Sequence, residues 1–184
     1  MAIRKIFEKL LVGEYQYPLA DEVNPILLDY IINLESNSNK PSNIMAKMTS
    51  WNIMGIKEVD DLVDWINTKI HVDFLKMPNK EELPFRLVEC KECWGVLYQD
   101  GDAITQHNHT PSQYSFTYYV NVPEGSSPLV FPESRYNIQP LAGQVVIFES
   151  RLTHMVLPNK SKNRCSIAGN FTHNKSTGTY GLDS

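Results

Sequence analysis

The sequence has no block of lysine and arginine, and its 17 basic residues are outnumbered by 21 acidic ones, for a formal net charge of −4. A surface that grips nucleic-acid phosphates needs a basic footprint, so no nucleic-acid partner is expected. No apolar run approaches the roughly 20 residues of a membrane-spanning helix, so no membrane partner is expected either. Met1–Leu11 mixes Arg4, Lys5, Glu8 and Lys9 with apolar residues and lacks the apolar centre of a secretory signal. The expected location is cytoplasmic.

Cysteine is scarce, with three in the chain. An odd, small number makes no disulfide framework. Cys90 and Cys93 have the CxxC spacing of zinc and redox sites, but no second CxxC accompanies them. They fall inside a strand-like run, where residues three apart point to opposite faces, so the expectation is two reduced thiols in and beside a core. Repeats and low-complexity segments are absent. The 184 residues, 42% hydrophobic and 21% charged, suffice for one sizeable core in a globular domain.

Helical patterning is confined to the first part of the chain. Met1–Leu11 fits a strand or a short helix equally well. Asn24-Pro25 reads as a helix start, with Asn24 as cap and Pro25 in the first turn, and Leu27, Tyr30, Ile31 and Leu34 on one face. The polar segment Asn37–Asn43 reads as a loop, and Met45–Met54 fits no single class. A second helix is expected from about Lys57 to Lys76, with Val59, Leu62, Val63, Ile66 and Ile70 at helical spacing and Pro78 beyond it. His71, on that helix, reads as an ordinary exposed or boundary histidine.

From Pro84 onward the pattern changes to short β segments. Phe85–Tyr98 closes on the turn signal Asp100-Gly101, and Ala103–His107, Tyr114–Val122, Leu129–Phe131, Tyr136–Ile138, Gln144–Phe148, His154–Leu157 and Cys165–Thr172 follow. The expected fold is mainly β with N-terminal helices, a barrel or jelly roll with the helices packed on one sheet. Residues 1–83 form the helical layer of the same domain, 84–173 the β core and 174–184 a tail.

The segment from His107 to Ser166 carries the candidate chemistry, with three of the five histidines. His107 and His109 are two apart at an apparent strand end, so an extended backbone projects both to one face, and His154 is the natural third ligand. Such a set suits iron, copper, nickel or zinc. By spacing alone a histidine-rich surface turn fits as well. Arg164 lies ten residues beyond His154, where an antiparallel neighbouring strand would bring a guanidinium beside the metal to grip a carboxylate.

The ordered series Trp94-Gly95-Val96, Gly101-Asp102, His107-Asn108-His109, Ser115–Tyr119, Pro123-Glu124-Gly125, Leu129-Val130-Phe131, Pro140, Gly143, Phe148, His154, Pro158, Arg164, Ser166 and Asn170 resembles the Fe(II)/2-oxoglutarate-dependent oxygenase superfamily. It is most similar to the prolyl-hydroxylase-related branch with an HxH motif, small proteins found partly in phages and marine bacteria. A phage origin would make the cytoplasm that of the host.

The resemblance implies a double-stranded β-helix with His107 and His154 as iron ligands and Arg164, supported by Ser166, on the distal carboxylate of 2-oxoglutarate. It implies an aromatic hydroxyl beside that carboxylate, for which Tyr119 is chosen over Tyr98 and Tyr118. The superfamily usually has Asp or Glu where this chain has His109; the change leaves three neutral ligands and weakens selectivity for hard metals. Fe(II) is the implied cofactor, 2-oxoglutarate and O2 the cosubstrates, and a peptidyl or small-molecule C–H the target, with a homodimer as the expected assembly.

Other residues compete for these roles. Asp102, Glu133 and Glu149 are the alternative carboxylates, Glu149 foremost among them as a rival ligand and Asp102 as a support for an imidazole. Arg135 and Arg151 are runner-up anchors, and His173 reads as structural or lining. Substrate choice is expected from the loops Asn37–Met54, Pro111–Gln113, Gly125–Ser127 and Glu133–Tyr136. Two other functions fit the residues: a cupin-type three-histidine dioxygenase without 2-oxoglutarate, and a non-catalytic metal-binding jelly-roll module.

Overall fold

Strand β1, Val12–Gln16, comes first, then helix α1, Ala20–Asn33. Two short strands, β2 (Ile44–Met45) and β3 (Lys47–Met48), lead into helix α2, Lys57–Lys69, which runs on as a π-helical turn over Ile70–Phe74. The β body contains β4 (Val88–Tyr98), β5 (Ala103–His107), β6 (Tyr114–Asn121), β7 (Leu129–Phe131), β8 (Tyr136–Ile138), β9 (Gln144–Glu149), β10 (His154–Val156) and β11 (Arg164–His173). This computed structural model describes residues 10–33, 44–77 and 87–174.

The strands form a six-stranded sheet, β1-β9-β6-β11-β4-β3, and a five-stranded sheet, β2-β5-β10-β7-β8. From β4 onward the chain alternates between them: β4, β6, β9 and β11 in the larger, β5, β7 with β8, and β10 in the smaller. That alternation winds two antiparallel sheets into the jelly roll expected from the sequence.

Period-two alternation divides each central strand between two cores. On β9, Val145 and Ile147 pack toward the helices with Leu27, Ile31, Leu62 and Ile66, whereas Val146 and Phe148 face the smaller sheet with Leu129, Phe131 and Val156. On β11, Cys165, Ile167 and Phe171 belong to the helical side. Arg164, Ser166, Ala168 and Asn170 line the space between the sheets. A strand buried on both faces must be apolar at nearly every position, as Val145–Phe148 is, so polar residues on its inner face stand out.

Helix α1 begins earlier than its sequence suggests. Leu19 accepts the first helical hydrogen bonds from Glu22 and Val23, and acidic Asp21 and Glu22 occupy the first turn, where the helix dipole favours them. Pro25 therefore sits inside the helix, on its exposed side, where water can satisfy the carbonyl the ring leaves unbonded. Asn24 is no cap; its Oδ1 accepts the Tyr118 hydroxyl. The strand Val12–Gln16, which follows the undecided Met1–Leu11, pairs with β9 at the sheet edge. Residues 1–9, the Asn37–Asn43 loop and the tail after Asn174 lie outside the described residues.

Two further expectations are corrected. His71 is buried, not exposed: Nδ1–H donates to the Asn67 carbonyl at 2.8 Å, and Nε2 accepts the Leu87 amide at 3.0 Å, joining α2 to the chain before β4. Cys90 and Cys93 share a face, because Asn170 pairs with Glu92 and Phe171 with Cys90, leaving Lys91 as a bulge residue that shifts the alternation by one. Both thiols lie on the helical side, and a hydrogen-bond contact with Cys90, together with burial, keeps the Cys93 thiol protonated well above its usual range. Gly143, at φ +80°, turns the chain where a side chain would strike Gln16 and Ala20.

Candidate active site

The three histidines converge. Each offers a ring nitrogen, and these atoms lie within 4.8 Å of one another. His107 ends β5 and is paired directly with His154 at the start of β10. The ring centroids are 4.3 Å apart for that pair, 4.8 Å for His107 and His109, and 5.0 Å for His109 and His154. His109 does not arrive by strand alternation: it lies past the end of β5, and its amide is docked on the Ser150 carbonyl at 2.8 Å.

Hydrogen bonds orient two of the rings. His107 Nδ1–H donates to the Thr105 carbonyl at 2.8 Å, and His154 Nδ1–H donates to the Leu152 carbonyl at 2.9 Å. A carbonyl only accepts, so both rings carry the proton on Nδ1 and leave Nε2 with a free lone pair. Burial lowers the His154 pKa to about 4, with His107 adding to the shift, and lowers that of His109 to about 3, with both neighbours adding. Burial lowers His107 as well. The cluster is neutral at physiological pH, the protonation state in which imidazole binds a metal.

The histidines form one wall of a cavity of about 830 Å³ between the sheets. The opposite wall is a series of rungs across β4, β11 and β6. Tyr98 pairs with Arg164; Val96 with Ser166 and Tyr119; Trp94 with Ala168 and Thr117; Glu92 with Asn170 and Ser115. The sequence placed Arg164 on a strand neighbouring His154. It comes instead from the other sheet, because β11 pairs with β4 and β6 and not with β10.

Arg164 is 1% exposed, and its Nε and Nη1 have no hydrogen-bond partner among the described residues. The guanidinium lies 4.2 Å from the Tyr98 ring and 5.6 Å from the Tyr119 ring. The Tyr119 hydroxyl is also buried without a partner among the described residues. Burial raises the pKa of both tyrosines, against an opposing pull from Arg164, so both are neutral hydroxyls. A buried cation beside an unsatisfied hydroxyl is costly unless an anion completes it. Ser166, 3% exposed, lines the cavity one rung above.

The rival residues are elsewhere. Glu149 faces away from the histidines: it accepts the Leu11 amide at 3.1 Å and pairs with Arg151 at 3.0 Å, because its strand neighbour Phe148 occupies the inward position. Asp102 closes its own turn by accepting the Gln99 amide at 2.7 Å. Glu133, Arg135 and Arg151 are absent from the cavity wall, as is His173 at the end of β11. Tyr118 points to the helical side and bonds Asn24.

Of the expected substrate loops, Ile44, Trp51, Pro111 and Ser112 reach the cavity. Gly125–Ser127 and Glu133–Tyr136 do not; Ser127 is tied to Pro158 and Asn159. Trp94 and Asn170 were part of the sequence resemblance without a role, and Glu92 was overlooked. Counting alternate positions back from Tyr98 on β4 and onward from Arg164 on β11 would have put all three on the cavity face.

A profile of the 2OG-Fe(II) oxygenase superfamily matches residues 67–172, more than half of the chain. No curated protein matches it by sequence. Among solved structures, the viral collagen prolyl hydroxylase of Paramecium bursaria Chlorella virus-1, in complex with 2OG, is similar at a TM-score of 0.63 and 19% identity, over 87% of this chain and 94% of that one. A prolyl-4-hydroxylase of Pseudomonas putida is similar at a TM-score of 0.61 and 18% identity, over 89% and 92%. A Trichoplax adhaerens prolyl hydroxylase bound to a hypoxia-inducible-factor peptide is similar at 0.60 and 14%, over 87% and 83%.

Proposed function

The chain belongs to the 2OG-Fe(II) oxygenase superfamily, and from that premise we propose that it hydroxylates an aliphatic C–H of a peptidyl or small-molecule substrate at the His107–His109–His154 cluster. The superfamily uses Fe(II) as cofactor and 2-oxoglutarate as cosubstrate. When bound, they supply with O2 the oxidising power that places a hydroxyl on substrate carbon while 2-oxoglutarate becomes succinate and CO2. The rest is binding, orientation and exclusion of water by this chain's own residues.

The residues present fit both groups. Three neutral imidazoles, two with Nε2 set inward by their backbone bonds, form a nitrogen donor set for a divalent metal. His109 takes the place usually held by a carboxylate, and the described residues bring no Asp or Glu into the cluster. The observation that carries the proposal is Arg164, buried with Nε and Nη1 unsatisfied next to the unsatisfied Tyr119 hydroxyl. In this reading Arg164 binds the distal carboxylate of 2-oxoglutarate as a planar fork, Tyr119 donates its hydroxyl to the same group, and Ser166 lines its path. Tyr98 stacks under the guanidinium and holds its plane.

The test is coupled turnover: protein with Fe(II), ascorbate, O2 and 2-oxoglutarate should release succinate, and His154→Ala and Arg164→Ala should each abolish the release. Succinate formation that survives both substitutions would overturn the assignment. The cupin-type alternative, with no 2-oxoglutarate, leaves the Arg164 guanidinium without an anion, and no carboxylate among the described residues lines that end of the cavity.

A further inference from the structure

We propose that the substrate presents a cation, an ammonium or guanidinium group, which docks at the cavity mouth against the Glu92 carboxylate and the Trp51 ring while its aliphatic stem runs past Trp94 toward the histidines. The inference rests on the oxygenase reading above and concerns the same cavity.

Glu92 is held in place by buried machinery. Asn170, 5% exposed, donates Nδ2–H to Glu92 Oε2 at 3.0 Å. Its Oδ1 accepts the Ser115 hydroxyl at 2.9 Å, and Ser115 in turn pairs with the Ser150 hydroxyl at 2.7 Å. Because Ser115 spends its one proton on Asn170, Ser150 must be the donor in that pair. The chain of bonds crosses from the turn after β9, through β6 and β11, and ends on a carboxylate at the mouth. Buried polar residues arranged so that their outer end is an anion do not serve packing, since an apolar set would fill that space without hydrogen bonds to satisfy.

Charge at the mouth is unbalanced. Among the described residues lining the cavity, Glu92 is the one carboxylate. Lys91 also lines the cavity, but its ammonium is paired with Glu89, and Arg164 is three rungs away from Glu92.

Trp51, 42% exposed, lines the same cavity as Glu92. Its backbone is fixed, because its carbonyl accepts the Cys93 amide at 3.2 Å and the following Ile53 amide bonds the Cys93 carbonyl at 2.8 Å. The two indoles meet edge to face, Trp51 against Trp94, at 4.9 Å. An aromatic ring and a fixed carboxylate lining one cavity are the chemistry that selects cations. An uncharged ring could stack on Trp51, but it would cover Glu92 without a counter-charge, which is unfavourable.

The spacing agrees with an aliphatic stem. Trp94 is 6.0 Å from His109, ring to ring. Glu92 is one same-face step farther out, about 6.6 Å along a strand. A cation on Glu92 thus reaches back toward the histidines through a stem of roughly lysine's four carbons.

Calorimetry and tryptophan fluorescence on the full chain, loaded anaerobically with Fe(II) and 2-oxoglutarate, test this. The probes are n-pentylammonium, N-acetyl-lysine methylamide, its uncharged Nε-acetyl counterpart and N-acetyl-proline methylamide. Cationic probes should bind, the uncharged pair at least about fivefold more weakly, the fold-change of one exposed charge and cation–π contact. Glu92→Gln keeps an oxygen for Asn170, so the fold is retained; it should weaken the cationic probes about fivefold and leave the uncharged ones unchanged.

Trp51→Ala should weaken the cationic probes similarly. Tighter binding of the peptidyl lysine than of pentylammonium would assign the cation to a peptide, and the reverse to a free amine. Equal binding of charged and uncharged probes, no binding of any probe, or an unaffected Glu92→Gln protein would overturn the proposal. Titration of 2-oxoglutarate in the same samples separates the two readings: if it binds and the cations do not, this inference alone falls, and if it does not bind, both do.

Discussion

Replacing Arg164 with methionine should change two quantities in opposite directions. The side chain is 1% exposed, and its Nε and Nη1 are unsatisfied between Tyr98 and Tyr119. Removing one partner of a buried, hydrogen-bonded charge pair costs about 2–5 kcal/mol, which weakens 2-oxoglutarate binding roughly 30- to 4,000-fold. The ligand-free protein has no such pair to lose. Exchanging a buried charge for an apolar chain of similar length should leave its stability unchanged or raise it by about 1–4 kcal/mol.

Lysine at the same position keeps the charge but not the fork, and should fall between the two proteins in affinity. Anaerobic calorimetry gives the affinity, and chemical denaturation of metal-free protein gives the stability. Unchanged 2-oxoglutarate affinity in the methionine variant would refute the anchor. A metal-free protein destabilised by several kcal/mol would mark Arg164 as a structural residue.

His107→Ala and His154→Ala should abolish tight metal binding in equilibrium dialysis, because they remove both oriented Nε2 donors. His109→Asp should keep binding and shift selectivity from zinc toward iron and manganese, as a hard oxygen replaces an imidazole; an unchanged metal ratio would argue that His109 is no ligand. Metal-free protein should lose stability on acidification: His109 and His154 have folded pKa values of about 3 and about 4, below the usual 6.5, so the unfolded chain binds more protons from pH 6.5 downward. Each contributes up to about 1.4 kcal/mol per pH unit in that window, and thermal melts of His109→Gln should have a shallower pH dependence. Leu62→Ala, at a fully buried position between α2 and the larger sheet, should cost about 2–5 kcal/mol in urea denaturation.

Much of this was readable from the sequence because strand alternation and turn residues are local signals. Ala103–His107, Leu129–Phe131 and Tyr136–Ile138 have the boundaries expected of them, each flanked by Gly, Pro, Ser or Asn. What could not be read depended on pairing across the fold. The bulge at Lys91 exists only because β4 and β11 differ by one residue in length along their ladder, and it reverses the expected orientation of Cys90 relative to Cys93.

Arg164 could be assigned to the cavity by its neighbours on β11, but its sheet could not, since short loops do not say whether consecutive strands pair or cross. Helix α1 starts at Ala20 through the Leu19 carbonyl, which propensity does not mark. Glu92 escaped notice because a charged residue on a strand ordinarily reads as solvent-facing.

The central claim, that the three-histidine cluster and Arg164 together bind Fe(II) and 2-oxoglutarate, is tested most directly by anaerobic titration of Fe(II)-loaded protein with 2-oxoglutarate under visible spectroscopy. Wild-type protein should develop a metal-to-ligand charge-transfer band that saturates at one equivalent and is lost in His154→Ala. Absence of the band from protein shown by metal analysis to hold one Fe(II) would contradict that claim.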